Sequence, residues 1–542
     1  MTQDFLENQN VGRFLAKMAS DHPQSTALIQ PSPSDRENLE LSFCEFARLV
    51  SGTSAYLRQK GIIRGCRTLL LVRPGLELIV LVFALFQIGA IPIIIDPGMG
   101  LKNFRACVAR SKPRALIGIP LAQTIALFFP LEFRSLAIRV WVGKHFLQKC
   151  RNSCYATKLE PAHAQPQDLA AILFTSGSTG TPKGVCYEHR HFDAQVRLIR
   201  EQYSIIPGEV DLPLLPVFAL FNPALGMTTV VPPVNPAKPA KADPAKIVHV
   251  LRKYNVTNSF GSPVLWKIIG EHCAEHDIRL PTLRRLLMAG ASAPPDLVRL
   301  WTQIAPNAKI HTPYGATECL PVCSIDAETI LSSTAEKTRQ GLGTCLGQVV
   351  PGMQVRILPS KEVPQKVIQG TGEIGEIIVS GPVVTAAYDR LPEATETAKI
   401  KDDQTIWHRM GDLGYFDEEN KLWFCGRVAE RVLTAEGPLH TDCCEAIFNQ
   451  HPKVFRSALV GIGEIGKQHP AIVIEPEKGH FPKLTNSQKS FRKELLELAN
   501  ASPVTRGINT FFFHPAFPVD VRHNAKIHRL TLAKIFANDL TA

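Results

Sequence analysis

Between Thr175 and Gly184 the chain alternates glycines with hydroxyl side chains and ends on one cation: Thr175, Ser176, Gly177, Ser178, Thr179 and Gly180, then Lys183 and Gly184. Such a loop can turn its backbone N–H groups and hydroxyls onto phosphate oxygens, with the lysine as a mobile counter-charge. It is not a Walker loop, which needs a glycine directly before the lysine and a hydroxyl after it. Here Pro182 precedes Lys183 and Gly184 follows. Composition of this kind also suits a flexible turn. Downstream stand Glu318 behind Tyr314, Asp412 between Gly411 and Gly414, and Lys526 between Arg522 and Arg529. Taken singly, these read equally as a surface carboxylate, a turn-forming aspartate and one of several surface cations.

Taken in order, the same stretches resemble the core motifs of adenylate-forming enzymes, the superfamily of acyl-CoA ligases, peptide-synthetase adenylation domains and luciferases. Residues 175–185 are similar to its phosphate-binding signature, Tyr314–Glu318 to its second motif, Gly372–Glu376 to its third and Gly411–Gly414 to its fourth. Gly426 and Arg427 resemble its domain hinge, and Asn524–Ile527 stand where the catalytic lysine of its C-terminal domain belongs. Each element is weak alone. It is their shared order that carries the resemblance.

The resemblance implies a task for each residue. Activating a carboxylate with ATP brings two anions together, so cations and dipoles are needed where charge develops on the α-phosphate and departing pyrophosphate. Thr175, Ser176, Ser178, Thr179 and Lys183 would hold the β- and γ-phosphates, Thr317 the α-phosphate, and Glu318 a Mg²⁺ ion as a hard oxygen donor. Tyr314 would offer a flat face to adenine, with Gly290, Ala291 and Ser292 as the opposite wall. Asp412 would accept from the ribose hydroxyls, assisted by Arg427. Lys526 would bridge the substrate carboxylate and the α-phosphate, with Thr317 and Glu318 beside it as the catalytic group.

Departures from the family pattern narrow the choice. Two positions after the hinge arginine, where acyl-CoA ligases usually carry Asp or Lys, stands Ala429, and Gly437 is displaced by one residue from the usual pantetheine-tunnel spacing. Longer stretches, Asp211–Gly226, His311–Val322, Leu422–Arg427 and Val519–Ile527, look like the olefin-biosynthesis β-lactone synthetases. That subgroup adenylates a 2-alkyl-3-hydroxy fatty acid, whose own hydroxyl then closes a β-lactone. A medium- or long-chain acyl-CoA ligase is the enzymatic alternative, and a catalytically dead nucleotide-binding protein the alternative from another class. Phe218, Leu220, Phe221, Leu225 and Met227 suit either an acyl pocket or ordinary core.

These residues need elements to position them. Helix-period stretches (Leu41–Lys60, Leu76–Gln87, from Leu101) alternate with strands (Thr68–Val72, Ile91–Ile95, Ala115–Ile119), which predicts βαβ units and a parallel sheet. Further strands at Ala170–Phe174, Asn258–Phe260 and Leu286–Met288 each lead into a Gly- or Pro-containing loop, the place where such folds bind ligands. After about residue 340 short strands with turns predict a β subdomain. The expected fold is therefore α/β, with a large N-terminal domain of layered sheets and helices (1–426) and a small mobile C-terminal α+β domain (427–542) carrying the catalytic lysine.

Composition agrees. At 542 residues, 45% hydrophobic and 20% charged, the chain is an ordinary globular protein of several domains. The excess of 60 Lys and Arg over 49 Asp and Glu forms no Lys/Arg run and no aromatic–basic interleaving, so it reads as a diffuse surface excess and argues against a nucleic-acid partner. Thirteen cysteines without a C-x-x-C suit free thiols in a reducing compartment. The first residues lack a basic segment followed by an apolar one, and Leu76–Ile95 is broken by Glu77, Gln87, Gly89 and Pro92, which argues against a membrane span. A cytoplasmic enzyme is expected, using ATP and Mg²⁺ on a fatty-acid-derived substrate. Transient contact with a membrane surface, and with partner enzymes of a lipid or olefin pathway, is compatible with this.

Overall fold

The computed structural model describes residues 8–32, 38–152, 160–175, 182–235, 239–359, 372–519 and 526–537. Local rules place the first helices. Phe43–Gln59 begins at a capping box, in which Ser42 Oγ accepts from the Glu45 N–H (3.2 Å) and the Glu45 carboxylate accepts from the Ser42 N–H (2.8 Å). Leu76–Ile88 has no polar face because it is buried on all sides. Its one interior amide, Gln87, is satisfied by Ser54 Oγ at 2.8 Å. The apolar run is thus a 13-residue core helix followed by the strand Ile91–Ile95, and among the described residues no helix is long and apolar enough to cross a membrane.

One six-stranded sheet runs across in the order Ile138–Trp141, Ala115–Gly118, Arg67–Leu71, Ile91–Ile95, Leu169–Thr175, Lys183–Glu188. The first five are parallel and the last antiparallel. A fourteen-stranded sheet joins a parallel half, which includes Val210–Pro213, Asn258–Gly261, Arg285–Met288 and Lys309–Ala316, to an antiparallel half made largely after residue 340. The helix Pro263–Glu275 is fastened to its neighbour Pro295–Ile304 by the Trp301 indole donating to the Trp266 carbonyl at 2.8 Å.

After Arg427 the chain forms a two-stranded ribbon (Val432–Thr434, Gly437–Leu439) and a three-stranded sheet (Val454–Ile462, His469–Pro476, Thr510–Phe513) backed by Thr441–Phe448, Thr485–Ala501 and Arg529–Phe536. Two of its hydrophobic clusters draw only on residues beyond 431. The α/β class, with large sheets and a small terminal α+β sheet, agrees with expectation. The twelve described cysteines are all free thiols.

Candidate active site

As a turn-forming residue, its alternative reading, Asp412 would stand in a loop. It lies instead within the strand Thr405–Phe416, directly across the antiparallel ladder from Arg427 at the end of Leu422–Arg427. That register brings Arg427 Nε to 2.9 Å from Asp412 Oδ1. The Tyr314 hydroxyl donates to Oδ2 at 2.6 Å from a strand 98 residues away. Asp412 is buried, and burial pushes its carboxyl up against the opposing pull of Arg427, Tyr314 and Lys526. Burial and the neighbouring carboxylate drive the Tyr314 phenol well above its ordinary value, so it stays a donor. Arg427 faces Oδ1 as an ion-pair partner, out of line for a hydrogen bond, so this buried oxygen has no aligned donor.

Tyr314 sits near the end of Lys309–Ala316, and the adjoining parallel strand Arg285–Met288 runs into Ala289–Ser292. Gly290 there has φ +94°, a conformation natural to glycine. Gly290, Ala291 and Ser292 therefore follow the C-terminal end of a strand paired in parallel with the Tyr314 strand, in the interior of the sheet. The third motif is structural: a Cβ on Gly375 would meet the Leu358 carbonyl at 1.9 Å, and Glu376 pairs with Arg409 across the ladder.

Thr317 and Glu318 form the turn between Lys309–Ala316 and Cys319–Asp326. The turn is held by its backbone. Tyr187 donates to the Thr317 carbonyl, and Thr385 donates to that of Glu318 from its N–H (2.9 Å) and its hydroxyl (3.2 Å). One Glu318 carboxylate oxygen accepts from the Tyr388 hydroxyl at 2.7 Å. A carboxylate so placed suits Mg²⁺, which is commonly held by one or two carboxylates together with water and phosphate oxygens. Lys183 Nζ lies 4.9 Å from the Tyr388 ring centre, so Tyr388 links the cation of the glycine loop to Glu318.

Thr175 and Lys183 pair in register, so the glycine-rich motif is flanked by two antiparallel strands, whereas a Walker loop opens a helix. Ser176, Gly177, Ser178, Thr179 and Gly180 lie outside the described residues. Lys526 precedes Ile527, which bridges to Val519, and it lies close enough to act on the charge of Asp412. The lysine of the C-terminal segment is thus within electrostatic range of the cluster contributed by the large sheet.

Beside the hairpin lies a small apolar cavity of about 50 Å³. Phe218, Phe221, Leu225 and Met227 line it with Phe260, whereas Leu220 belongs to the packed core. Its floor is polar. Asp211 accepts from Asn222 at 2.8 Å and from Asn258 at 2.5 Å, and burial raises its carboxyl to about 6. Asp211 is opposite Asn258, and Asn258 opposite Arg285, four residues and about 13 Å of strand before Ala289. That is too deep for a group one or two bonds from a reacting carboxylate.

With this geometry in place, comparison with known proteins is decisive. Residues 15–389 match the AMP-binding enzyme family. Two relatives cover 97% of this chain and 97% of their own length: the olefin beta-lactone synthetases of Xanthomonas campestris pv. campestris, 41% identical, and Stenotrophomonas maltophilia, 40% identical. The chain belongs to the AMP-binding enzyme family. It is an adenylate-forming ligase. The fold of this AMP-binding enzyme is that of ATP-bound MatB from Rhodopseudomonas palustris, with a TM-score of 0.81 over 98% of this chain and 99% of the other at 20% identity.

Residues without a motif also reach the site of this AMP-binding enzyme. Tyr388, Thr385 and Lys399 approach Glu318 from a segment that no spacing rule singles out. Lys399 is buried, with Nζ 3.5 Å from Thr385 Oγ1, and burial lowers its ammonium to about 8 against the pull of Cys319 and Glu318. The one signal for it was a lysine next to the helix Pro392–Ala398 at the start of an otherwise ordinary strand.

Proposed function

We propose that this AMP-binding enzyme activates a 2-alkyl-3-hydroxy fatty acid with ATP and closes it to a β-lactone. The observation that carries the reading is 41% identity with an olefin beta-lactone synthetase along 97% of both chains. The apolar cavity beside the Tyr314–Glu318 hairpin supports a fatty-acid-derived substrate.

In the first half-reaction a substrate carboxylate oxygen attacks the α-phosphorus and pyrophosphate leaves. Lys526 neutralises the two approaching anions, the glycine loop with Lys183 holds the departing phosphates, and Thr317 contacts the α-phosphate. Mg²⁺, held by Glu318, would supply charge neutralisation on the phosphates. Asp412 takes the ribose hydroxyls, with Arg427 and Tyr314 fixing its carboxylate. In the second half-reaction the 3-hydroxyl oxygen attacks the activated acyl carbon, its proton and AMP leave, and the ring closes. The nucleophile is already in the molecule, so no second substrate channel is needed.

The division of labour we propose is an AMP-binding region, residues 1–426, and a lid, 427–542. It is supported by the separate hydrophobic clusters after residue 431. Partner enzymes would be those that supply the hydroxy acid and consume the lactone in a lipid or olefin pathway.

The test is mass spectrometry of products from ATP, Mg²⁺ and paired acids with and without the 3-hydroxyl. The hydroxy acid is expected to give AMP and β-lactone without CoA, and the plain acid an adenylate that persists. Rapid CoA-dependent turnover of the plain acid, with no lactone from the hydroxy acid, would make this an acyl-CoA ligase.

A further inference from the structure

The positive charge of this chain is not diffuse, contrary to its first appearance. Between Lys102 and Arg151 stand ten Lys and Arg and a single acid, Glu132, so nine of the eleven excess charges fall in this stretch. Glu132 is itself paired with Arg105, whose Nε lies 2.7 Å away. Inside the same stretch, residues 115–131 contain no charged side chain at all.

The fold turns much of that uncharged segment outward. The helix Pro120–Phe128 packs Ala122 and Ala126 inward, while Leu121 is 65% exposed and Phe128 76%. Leu131, just beyond it, is 80% exposed. On the adjacent edge strand Ile138–Trp141, Val140 is buried, and Arg139 and Trp141 alternate to the other face, Trp141 being 55% exposed. Arg139 pairs in register with Leu116, which shares a core layer with Ala126, so Trp141 points to the side that the helix covers. Gln123 fastens helix to strand by donating to the Val140 carbonyl at 2.9 Å. Lys102, Lys112, Arg114, Arg134, Arg139 and Lys144 of the same stretch are exposed as well.

A helix facing water ordinarily shows it polar side chains, and contiguous exposed apolar patches mark interaction surfaces. Leucine tips gain from hydrocarbon, an indole suits the boundary between hydrocarbon and water, and exposed cations of the same stretch suit anionic headgroups. We propose that this face docks the enzyme on an anionic lipid surface, with Leu121, Phe128, Leu131 and Trp141 entering the interface and the exposed Lys and Arg of the same stretch pairing with lipid phosphates. Nucleic acid fits less well, because single-strand binders stack bases on aromatic platforms, whereas exposed Leu121, Leu127 and Leu131 make this face largely aliphatic. The docking stands whether or not the proposed substrate is correct.

Trp141 supplies the readout. The chain has five tryptophans, and the other four, Trp266, Trp301, Trp407 and Trp423, are buried. The full chain is mixed with phosphatidylcholine vesicles with or without phosphatidylglycerol, at low and high salt. Binding is followed by co-sedimentation, and insertion by quenching of tryptophan emission with brominated phosphatidylglycerol. Expected are a blue shift and quenching, affinity at least tenfold higher for the anionic vesicles, and weakening by salt. Phe128→Ser with Leu131→Ser should lose at least tenfold in affinity, and Arg134→Glu with Lys144→Glu should abolish the preference for anionic lipid. Unchanged circular dichroism and melting temperature of these surface variants would show the fold intact. Absence of vesicle binding, binding without quenching, vesicle binding that survives both double variants, or self-association or RNA binding through this face in place of lipid binding would each overturn the proposal.

Discussion

Arg529 Nη1 lies 2.8 Å from Glu430 Oε2. The same guanidinium grips Glu445 through Nε and Nη2, each at 2.6 Å. Glu430 closes the short turn Val428–Glu430 directly after Arg427, and Arg529 opens the last described helix, three residues after Lys526. The hinge turn and the lysine segment are therefore joined by one buried ion-paired clamp. Burial opposes the charge on Arg529, yet its two carboxylates more than compensate and raise its pKa.

Arg529→Met should therefore act on Lys526 from a distance and leave two buried carboxylates uncompensated, at about 3–5 kcal/mol of stability. The adenylation rate should fall at least tenfold while ATP affinity changes less than threefold, measured by pyrophosphate exchange and calorimetry. Glu430→Gln in the parent chain, which can still accept a hydrogen bond from Arg529, should retain most of the rate.

Lys526→Ala removes the bridging cation itself. Its kcat for adenylation should drop by roughly two to three orders of magnitude, as for loss of a group acting mainly in the transition state. ATP binding should change little. An unchanged rate removes Lys526 from the mechanism.

Glu318→Gln and Asp412→Ala should separate. The first should raise the Mg²⁺ concentration for half-maximal adenylation. The second should weaken ATP and AMP alike, by about tenfold or more, because ribose is common to both. Tyr314→Phe, which removes the donor at Asp412 Oδ2, should weaken both nucleotides several-fold. A similar Mg²⁺ response in the Glu318 and Asp412 variants would sink the division of roles.

Asp211 predicts a pH dependence. Its folded pKa, about 6, lies above its unfolded value of 3.8, so the folded state holds the extra proton between these values. Its contribution is fully present below about pH 4 and is lost as pH rises through about 6. Asp211→Asn, which cannot ionise, should gain relative to the parent by up to roughly 3 kcal/mol across that window. Denaturant unfolding at pH 4 and pH 7 checks the sign.

Leu225→Trp fills the cavity wall. It should lower kcat/KM for long acyl chains at least tenfold more than for short ones, whereas damage to folding would lower both equally. A panel of acids differing only in chain length reads the ratio.

The order of motifs from Thr175 to Lys526, the alternation of strand and helix and the hydrophobic periodicity are local properties, so fold class and most candidate site residues were legible in the chain alone. Three-dimensional structure decided what depends on pairing across long separations. Asp412 looked like a loop residue because its glycine-flanked motif resembles a turn, yet a twelve-residue strand sets it opposite Arg427 and under Tyr314. Tyr388 and Lys399 carry no motif and reach Glu318 only because the chain folds back upon the hairpin. The charge looked diffuse because its cations form no run longer than two, and only the packing of Pro120–Phe128 beside the edge strand turns an apolar face outward within the basic stretch. Contacts of this kind are set by strand register and layer packing, which involve residues tens to hundreds of positions apart, and a reading of neighbouring residues does not contain them.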